Sequence, residues 1–211
     1  MPLTTPERAR ITAVILAGGA GRRMGGEDKG LLDLAGRSLT AHVLECIRPQ
    51  VGQVVISANR NAARYARFGV DVIADETPGF QGPLAGIAAA LAHIDTPLLL
   101  SLPCDTPFPP ANLAERLQRQ LAATGADLAV VHDGQRLHPV FALLRRSVLP
   151  ALQAYLASGG RKMHTWIATQ RHTTVDFADA ATNFDNINTP EQRDRLAARL
   201  TGIVSNTTSA P

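Results

Sequence analysis

Between Leu16 and Gly30 the chain reads LAGGAGRRMGGEDKG, which places six glycines, two arginines and one lysine directly after an apolar run. Glycine lets the main chain pass close to a ligand and turn successive N–H groups toward an anion, while cationic side chains neutralise the remaining charge. This is the composition of a phosphate cradle. Two common cradles fail on spacing. The dinucleotide fingerprint needs a small residue after Gly19-x-Gly21-x-x, where this chain has Met24. The P-loop lysine follows Gly and precedes Ser or Thr, whereas Lys29 stands between Asp28 and Gly30. Hydride-transfer cofactors and ordinary NTPase chemistry are disfavoured.

Farther along, Leu102-Pro103-Cys104-Asp105-Thr106-Pro107 sets a lone carboxylate after a second apolar run, with proline on both sides. Mg2+ takes one or two carboxylates together with water and substrate phosphates, so a single well-placed Asp suffices to hold it. Taken alone, an Asp after a strand is more often a turn residue or helix cap than a metal ligand. Asn186 and Asn188 precede Thr189-Pro190 and on general grounds shape a turn. Arg161 and Lys162 follow Gly159-Gly160 and can grip a phosphate or simply open a solvated helix. Around His132-Asp133-Gly134 and His138-Pro139 no Ser-His-Asp or metal-ligand spacing is visible.

The ordered letters LAGG, RRMGG and DKGL, joined to PCDTP, resemble the nucleotidyltransferase signature, and in this form look most like the molybdenum cofactor guanylyltransferase family. The resemblance runs from about residue 11 to residue 200, with its strongest letters in the first 105. It implies transfer of GMP from GTP to the terminal phosphate of molybdenum-loaded molybdopterin, with Mg2+ as cofactor and pyrophosphate as leaving group. Arg23 and Lys29 would hold the β and γ phosphates, and Asp105 the metal. Related sugar nucleotidyltransferases add an asparagine from the segment matched here by Asn186-Ile187-Asn188, which implies Asn188 as a second ligand.

For the nucleotide, the resemblance points to main chain at Leu16, Ala17, Gly18 and Gly19, to Asp75, and to residues 82–86 with Gly82 and Gly86. A carboxylate suits guanine chemically, because the N1–H and the N2 amino group donate together; adenine and cytosine present no such pair. The rival reading of Asp75 is a solvated strand-end residue. One departure stands out: family members can carry Asn-Ala-Asn after the second strand, where this chain has Ser57-Ala58-Asn59. Serine keeps a hydroxyl but loses reach. The contact then passes to Asn59, runs through water, or is absent. Near the second substrate the resemblance implies His138, Arg161, Lys162 and Asn186.

CTP or a sugar-phosphate acceptor would fit the same loop, and a non-catalytic nucleotide-binding or carrier protein is the reading from another class. Joint presence of Lys29 and Asp105 favours transfer, since binding alone needs no metal at the α phosphate. Implied partners are GTP, molybdenum-loaded molybdopterin and, transiently, other proteins of molybdenum cofactor assembly.

These residues need a rigid frame. With 211 residues, 45% of them hydrophobic, the chain fits one domain over residues 11–201 between disordered tails at 1–10 and 202–211. Short β-rich runs at 11–16, 53–57, 70–74, 97–102 and 127–132 alternate with amphipathic patterns at 38–48 and 111–124. Alternation of this kind predicts a mostly parallel, Rossmann-like sheet in a three-layer α/β/α sandwich. Later, 137–144 reads as a strand, 148–156 as a helix, 173–177 as a late strand able to run antiparallel, and 189–200 as a helix opened by a capping box. The glycine loop then sits at a strand's carboxyl end, where open α/β sheets bind ligands.

A net charge of +3 with only 4% aromatic residues gives no indication of a nucleic-acid groove with stacking side chains and suits a polyanionic small molecule. Apolar runs such as 96–102 are too short for a bilayer, and no charged-then-apolar signal opens the chain, so a cytoplasmic protein without membrane contact is expected. Cys46 and Cys104 lie far apart in apolar contexts, as suits a reducing compartment. No heptad pattern calls for assembly, and a monomer is expected.

Overall fold

The computed structural model describes residues 2–17, 28–75 and 82–207, with side chains given up to residue 198 and at 200. Of the sites named above, Gly18, Gly19 and Arg23 lie outside the described residues.

Among the described residues nine strands form, seven of them in one sheet. Strands β1 (Ile11–Leu16), β4 (Gln53–Ser57), β5 (Asp71–Ile73), β6 (Leu98–Pro103), β7 (Leu128–His132), β8 (Leu137–Arg145) and β9 (His172–Asp176) take the order β5-β4-β1-β6-β8-β7-β9. Both central strands, β1 and β6, are buried along almost their whole length. A strand covered on both faces reads as a continuous apolar run, which is why these two were plain in the sequence.

The period-two pleat divides β1 between two cores. Ile11, Ala13 and Ile15 join the core covered by α2 (Leu39–Ile47) and α5 (Leu113–Thr124). Val14 joins the opposite core, covered by α4 (Pro83–His93), α6 (Leu149–Ala157) and α7 (Met163–Ala168). The result is the three-layer sandwich the alternation predicts.

The sheet has one reversed strand, and it is not the one anticipated. β8 runs antiparallel to β6 and to β7, whereas β9, the strand at 173–177, runs parallel to β7. Connection length explains both. A tight turn joins β7 to β8, with Asp133 Oδ1 accepting from the Gln135 and Arg136 main-chain N–H groups at 2.8 and 2.7 Å, so the chain must reverse. Between β8 and β9, α6 and α7 carry the chain to the carboxyl edge of the sheet and back, and β9 starts from the amino edge.

Residues 5–9, read from composition as part of a disordered tail, form α1 (Thr5–Ala9), and its Arg8 donates to the Pro49 carbonyl at 2.8 Å. Glu7 Oε2 accepts from the Thr4 main-chain N–H at 2.8 Å, a start signal that composition alone concealed. Helix α8 (Pro190–Thr207) likewise continues beyond residue 201. At its start Thr189 and Gln192 bond reciprocally, Gln192 N to Thr189 Oγ1 at 3.3 Å and Thr189 N to Gln192 Oε1 at 3.1 Å.

Two further elements had no clear sequence signal. A small hairpin pairs β2 (Asp33–Leu34) with β3 (Arg37–Ser38), turning at Ala35 and Gly36 with positive φ. α3 (Ala62–Ala66) follows β4. Leu32, Leu34 and Leu39 from the hairpin region pack with Ile187, Leu196 and Leu200, which fastens the α8 segment to the front of the molecule. No described helix is long and apolar enough to cross a membrane.

Candidate active site

β1, β4, β5 and β6 are parallel, so all four end at the same edge. Backbone pairing continues past the strand ends: Ala17 N donates to Ser57 O at 2.8 Å, Ala58 N to Ile73 O at 2.8 Å, and Cys104 N to Leu16 O at 3.2 Å. Asp75, Asn59, the entrance of the glycine loop and Asp105 are thereby aligned along one carboxyl edge. Burial raises the Cys46 thiol above its usual range and holds the buried Cys104 thiol well above it.

Lys29 lies just beyond the loop, on a single helical turn, Lys29–Leu31. Its Nζ donates to Asn188 Oδ1 at 2.7 Å and lies 3.2 Å from Asp105 Oδ2. Asn188 reaches this point because Ile187 N donates to the Asp105 carbonyl at 2.8 Å and Thr106 Oγ1 donates to Asn186 Oδ1 at 2.9 Å. Asp105 is 9% exposed, and its buried Oδ1 has no hydrogen-bond partner among the described residues. An unpartnered buried carboxylate oxygen beside an amide oxygen is a hard, oxygen-only donor set that fits Mg2+. Among the described residues no three His, Cys, Asp or Glu side chains gather into a closed cage. A cation held here must complete its shell from water and substrate, as Mg2+ does at phosphates.

The residue before Lys29 carries no signal of its own in the sequence, and it anchors the segment that leads into Lys29. Asp28, 8% exposed, accepts from the Tyr65 hydroxyl at 2.5 Å and from Asn61 Nδ2 at 2.9 Å, with Arg60 Nε at 3.8 Å. Burial, and then this hydrogen bond, keep the Tyr65 phenol protonated far above its usual range, so it remains a donor. Gly30 completes the fit. A Cβ there would lie 2.5 Å from the Tyr65 hydroxyl oxygen and 2.7 Å from Thr40 Oγ1. Glycine after Lys29 thus reflects close packing, where a P-loop would present a hydroxyl to the metal.

At the other end of the edge Asp75 and Asn59 form a closed pair: Asn59 Nδ2 donates to Asp75 Oδ2 at 2.7 Å, and Asp75 N donates to Asn59 Oδ1 at 2.8 Å. Partial burial raises the Asp75 carboxyl above its ordinary range, opposed by the Asn59 hydrogen bond.

Ser57 is 2% exposed and faces Gly86, where a Cβ would meet its Oγ at 2.5 Å and Leu16 Cδ2 at 2.9 Å. Gly86 therefore lets α4 lie close on β1 and β4, a packing reason for glycine beside the ligand contact expected from the sequence. Gly82 caps α4 with φ +82° and ψ −178°, a conformation essentially confined to glycine.

The four residues implied for a second substrate have different surroundings. Asn186 and Asn188 line a groove of about 660 Å3 together with Phe108, Arg136, Gln192 and Arg195. His138 faces inward instead: it is 9% exposed, its Nε2 is 2.6 Å from Asp133 Oδ2, and its ring lies 5.1 Å from that of Phe184. Its place is explained by the β7–β8 turn, whose Asp133 it braces. Arg161 and Lys162 stand across the edge near Gly82, where a Cβ would come within 3.9 Å of the Arg161 carbonyl. Arg161 Nη1 caps α6, donating to the carbonyls of Leu156 and Gly160 at 2.8 and 2.7 Å.

Comparison with known proteins agrees with this geometry. The MobA-like NTP transferase domain matches residues 13–174. A molybdenum cofactor guanylyltransferase of Shewanella sp. (strain MR-4) is 48% identical over 191 residues, 90% of this chain and 97% of the relative. Its counterpart in Shewanella baltica (strain OS185) is 46% identical over 193 residues, 92% and 98% of the two chains. The crystal structure of molybdopterin-guanine dinucleotide biosynthesis protein A from Archaeoglobus fulgidus superposes with a TM-score of 0.77 at 25% identity, covering 90% of this chain and 99% of that one. A 4-diphosphocytidyl-2C-methyl-D-erythritol synthase from Anaerococcus prevotii, 14% identical with a TM-score of 0.67 over 90% and 98% of the chains, shares the fold. Carrying the domain along most of its length, and nearly half identical to these relatives, the chain belongs to the molybdenum cofactor guanylyltransferase family.

Proposed function

We propose that this protein transfers GMP from GTP to the terminal phosphate of molybdenum-loaded molybdopterin. An acceptor phosphate oxygen attacks the α phosphorus of GTP, the bond from that phosphorus to the α–β bridging oxygen breaks, and pyrophosphate leaves. A phosphate monoester is anionic near neutral pH, so the chain need supply no general base. Catalysis then rests on alignment and charge neutralisation.

The observation that carries this reading is the meeting of Lys29, Asp105 and Asn188 at the carboxyl edge of the sheet. Asp105 and Asn188 would hold Mg2+, which when bound offsets charge on the phosphates. Lys29, with Arg23, grips the β and γ phosphates and steadies the departing pyrophosphate. Main chain at Leu16, Ala17, Gly18 and Gly19 lies against the nucleotide, and Asp75 takes the two guanine donors. In the groove beside Asn186, Arg136 and Arg195 offer positive charge to the acceptor's phosphate. We place the protein in the cytoplasm as a monomer that receives its pterin from other cofactor-assembly proteins.

The test is pyrophosphate release with each of the four nucleoside triphosphates, Mg2+ and extracted molybdopterin. GTP should be consumed only when acceptor and metal are both present. Release from CTP and not from GTP would overturn the assignment of the base, and release that ignores the acceptor would overturn the transfer.

A further inference from the structure

Asn59 stands where the sequence offers a substitute for the asparagine replaced by Ser57, so direct contact with the nucleotide is its obvious role. The geometry points elsewhere. We propose that Asn59 is a specificity-positioning residue, which fixes the carboxylate of Asp75 in the plane needed to read guanine; this rests on the reading of Asp75 given above.

The register of the sheet brings the two residues together. Ser57 at the end of β4 pairs with Ile73 at the end of β5, and Asn59 and Asp75 each lie two residues farther on. Ala58 N donating to Ile73 O at 2.8 Å holds the two chain ends parallel at this point. Both polar ends of the Asn59 amide then meet Asp75, the Nδ2 on the carboxylate and the Oδ1 on the main-chain N–H. Only one orientation of the amide works, because a carboxylate oxygen must accept and a main-chain N–H must donate. The two bonds close a ring through the Asp75 backbone, so the carboxylate cannot rotate without breaking one of them.

Fixing that rotation matters for guanine in particular. Its N1–H and N2 amino group are coplanar, and a carboxylate takes both only when its two oxygens lie in the plane of the base. A carboxylate has about four acceptor positions, and Asn59 occupies one, on Oδ2. The remaining positions suffice for two coplanar donors. A freely turning Asp75 at this half-buried edge would keep its charge but lose the alignment that separates guanine from bases with one donor. Aspartate in place of Asn59 would set two carboxylates against each other, and serine would be too short to span the gap.

Binding of GTP and of ITP, which lacks the 2-amino group, should be measured by calorimetry with Mg2+ on the full chain. In the wild-type protein GTP should bind about tenfold or more tighter than ITP, the usual scale for a hydrogen bond to a charged group. Asn59→Ala should shrink that ratio about fivefold or more while ITP affinity stays near wild type, and Asp75→Ala should abolish it. If Asn59→Ala keeps the ratio and Asp75→Ala removes it, the positioning role falls and Asp75 still reads the base. If Asp75→Ala keeps the ratio too, the reading of Asp75 falls and this inference with it. Equal loss of both nucleotides in Asn59→Ala and in the milder Asn59→Ser would assign Asn59 to the fold alone and also overturn the proposal.

Discussion

Lys29 and Asn188, 159 positions apart in the chain, meet at 2.7 Å beside the carboxylate of Asp105. No local signal brings them together. The contact depends on the parallel frame that ends β1 and β6 side by side, and on the backbone bond from Ile187 to Asp105 that returns the late segment to the same edge. Cation, carboxylate and amide oxygen then occupy one small volume, where transfer of a charged group is a matter of electrostatic alignment.

Removing the ammonium should therefore affect chemistry more than folding. Lys29→Ala should lower turnover about a hundredfold or more, the scale of one lost electrostatic contact in a transition state. The unfolding midpoint should move little, since the side chain is 24% exposed. Asp105→Ala should abolish the response of turnover to Mg2+. Pyrophosphate release and thermal unfolding on the same preparations check both, and near-wild-type turnover of Lys29→Ala would remove it from the site.

Behind Lys29, the buried bond from Tyr65 to Asp28 should appear as stability. Tyr65→Phe keeps the ring and should cost about 1–3 kcal/mol, the range for leaving a buried acceptor short of a partner. Gly30→Ala should cost a similar ~1–3 kcal/mol through overpacking. Because one of the two atoms the new Cβ would crowd, beside Thr40 Oγ1, is the hydroxyl that Tyr65→Phe removes, the double variant should be less destabilised than the two singles added together. Urea unfolding of the four proteins measures the coupling, and strict additivity would contradict the geometry.

Gly86→Ala separates a packing role from a ligand-contact role. Alanine is the better helix former by about 1 kcal/mol. Even so, the close approach to Ser57 and Leu16 should make the variant less stable, with Ser57→Ala restoring part of the loss. A Gly86→Ala protein as stable as wild type that binds GTP poorly would restore the ligand contact.

At the β7–β8 turn the stability contribution should depend on pH. The His138 hydrogen bond, followed by the Arg136 and Gln135 main-chain N–H groups, holds the Asp133 carboxyl well below the usual carboxylate range. A depressed folded value means that stability is fully present above the unfolded pKa, about 3.9, and is lost as pH falls toward the folded one. The penalty of Asp133→Asn should thus be largest near pH 7 and shrink below pH about 4. Unfolding midpoints of the two proteins from neutral to acid pH decide it, and a constant difference would refute the linkage.

Much of this frame is legible along the chain. The apolar runs of β1 and β6, buried on both faces, lead directly to the glycine loop and to Asp105, because in a parallel sheet the strand end and the ligand edge coincide. Harder to read are residues whose partners come from another strand. Asp28 sits inside the signature, yet its partners Asn61 and Tyr65 lie 33 and 37 residues away, on a short helix without periodic pattern. Asn59 and Asp75 are 16 apart and meet only because β4 and β5 share a register. Glycine was ambiguous for a different reason: at Gly86 the missing side chain makes room for Ser57, and composition cannot tell a protein neighbour from a ligand.

The long separation of Lys29 from Asn188 also has a meaning in time. Ribosomes add about 5–20 residues per second. The 159 positions between the two residues then correspond to roughly 8–32 s of elongation. Within that interval β4, β5 and β6 are made in turn and can pair beside β1, whereas the oxygen pair beside Lys29 still lacks its amide member. A nascent chain would thus hold a nucleotide cradle before it holds a complete cation site, and competence for transfer arrives only when the segment around Ile187 docks.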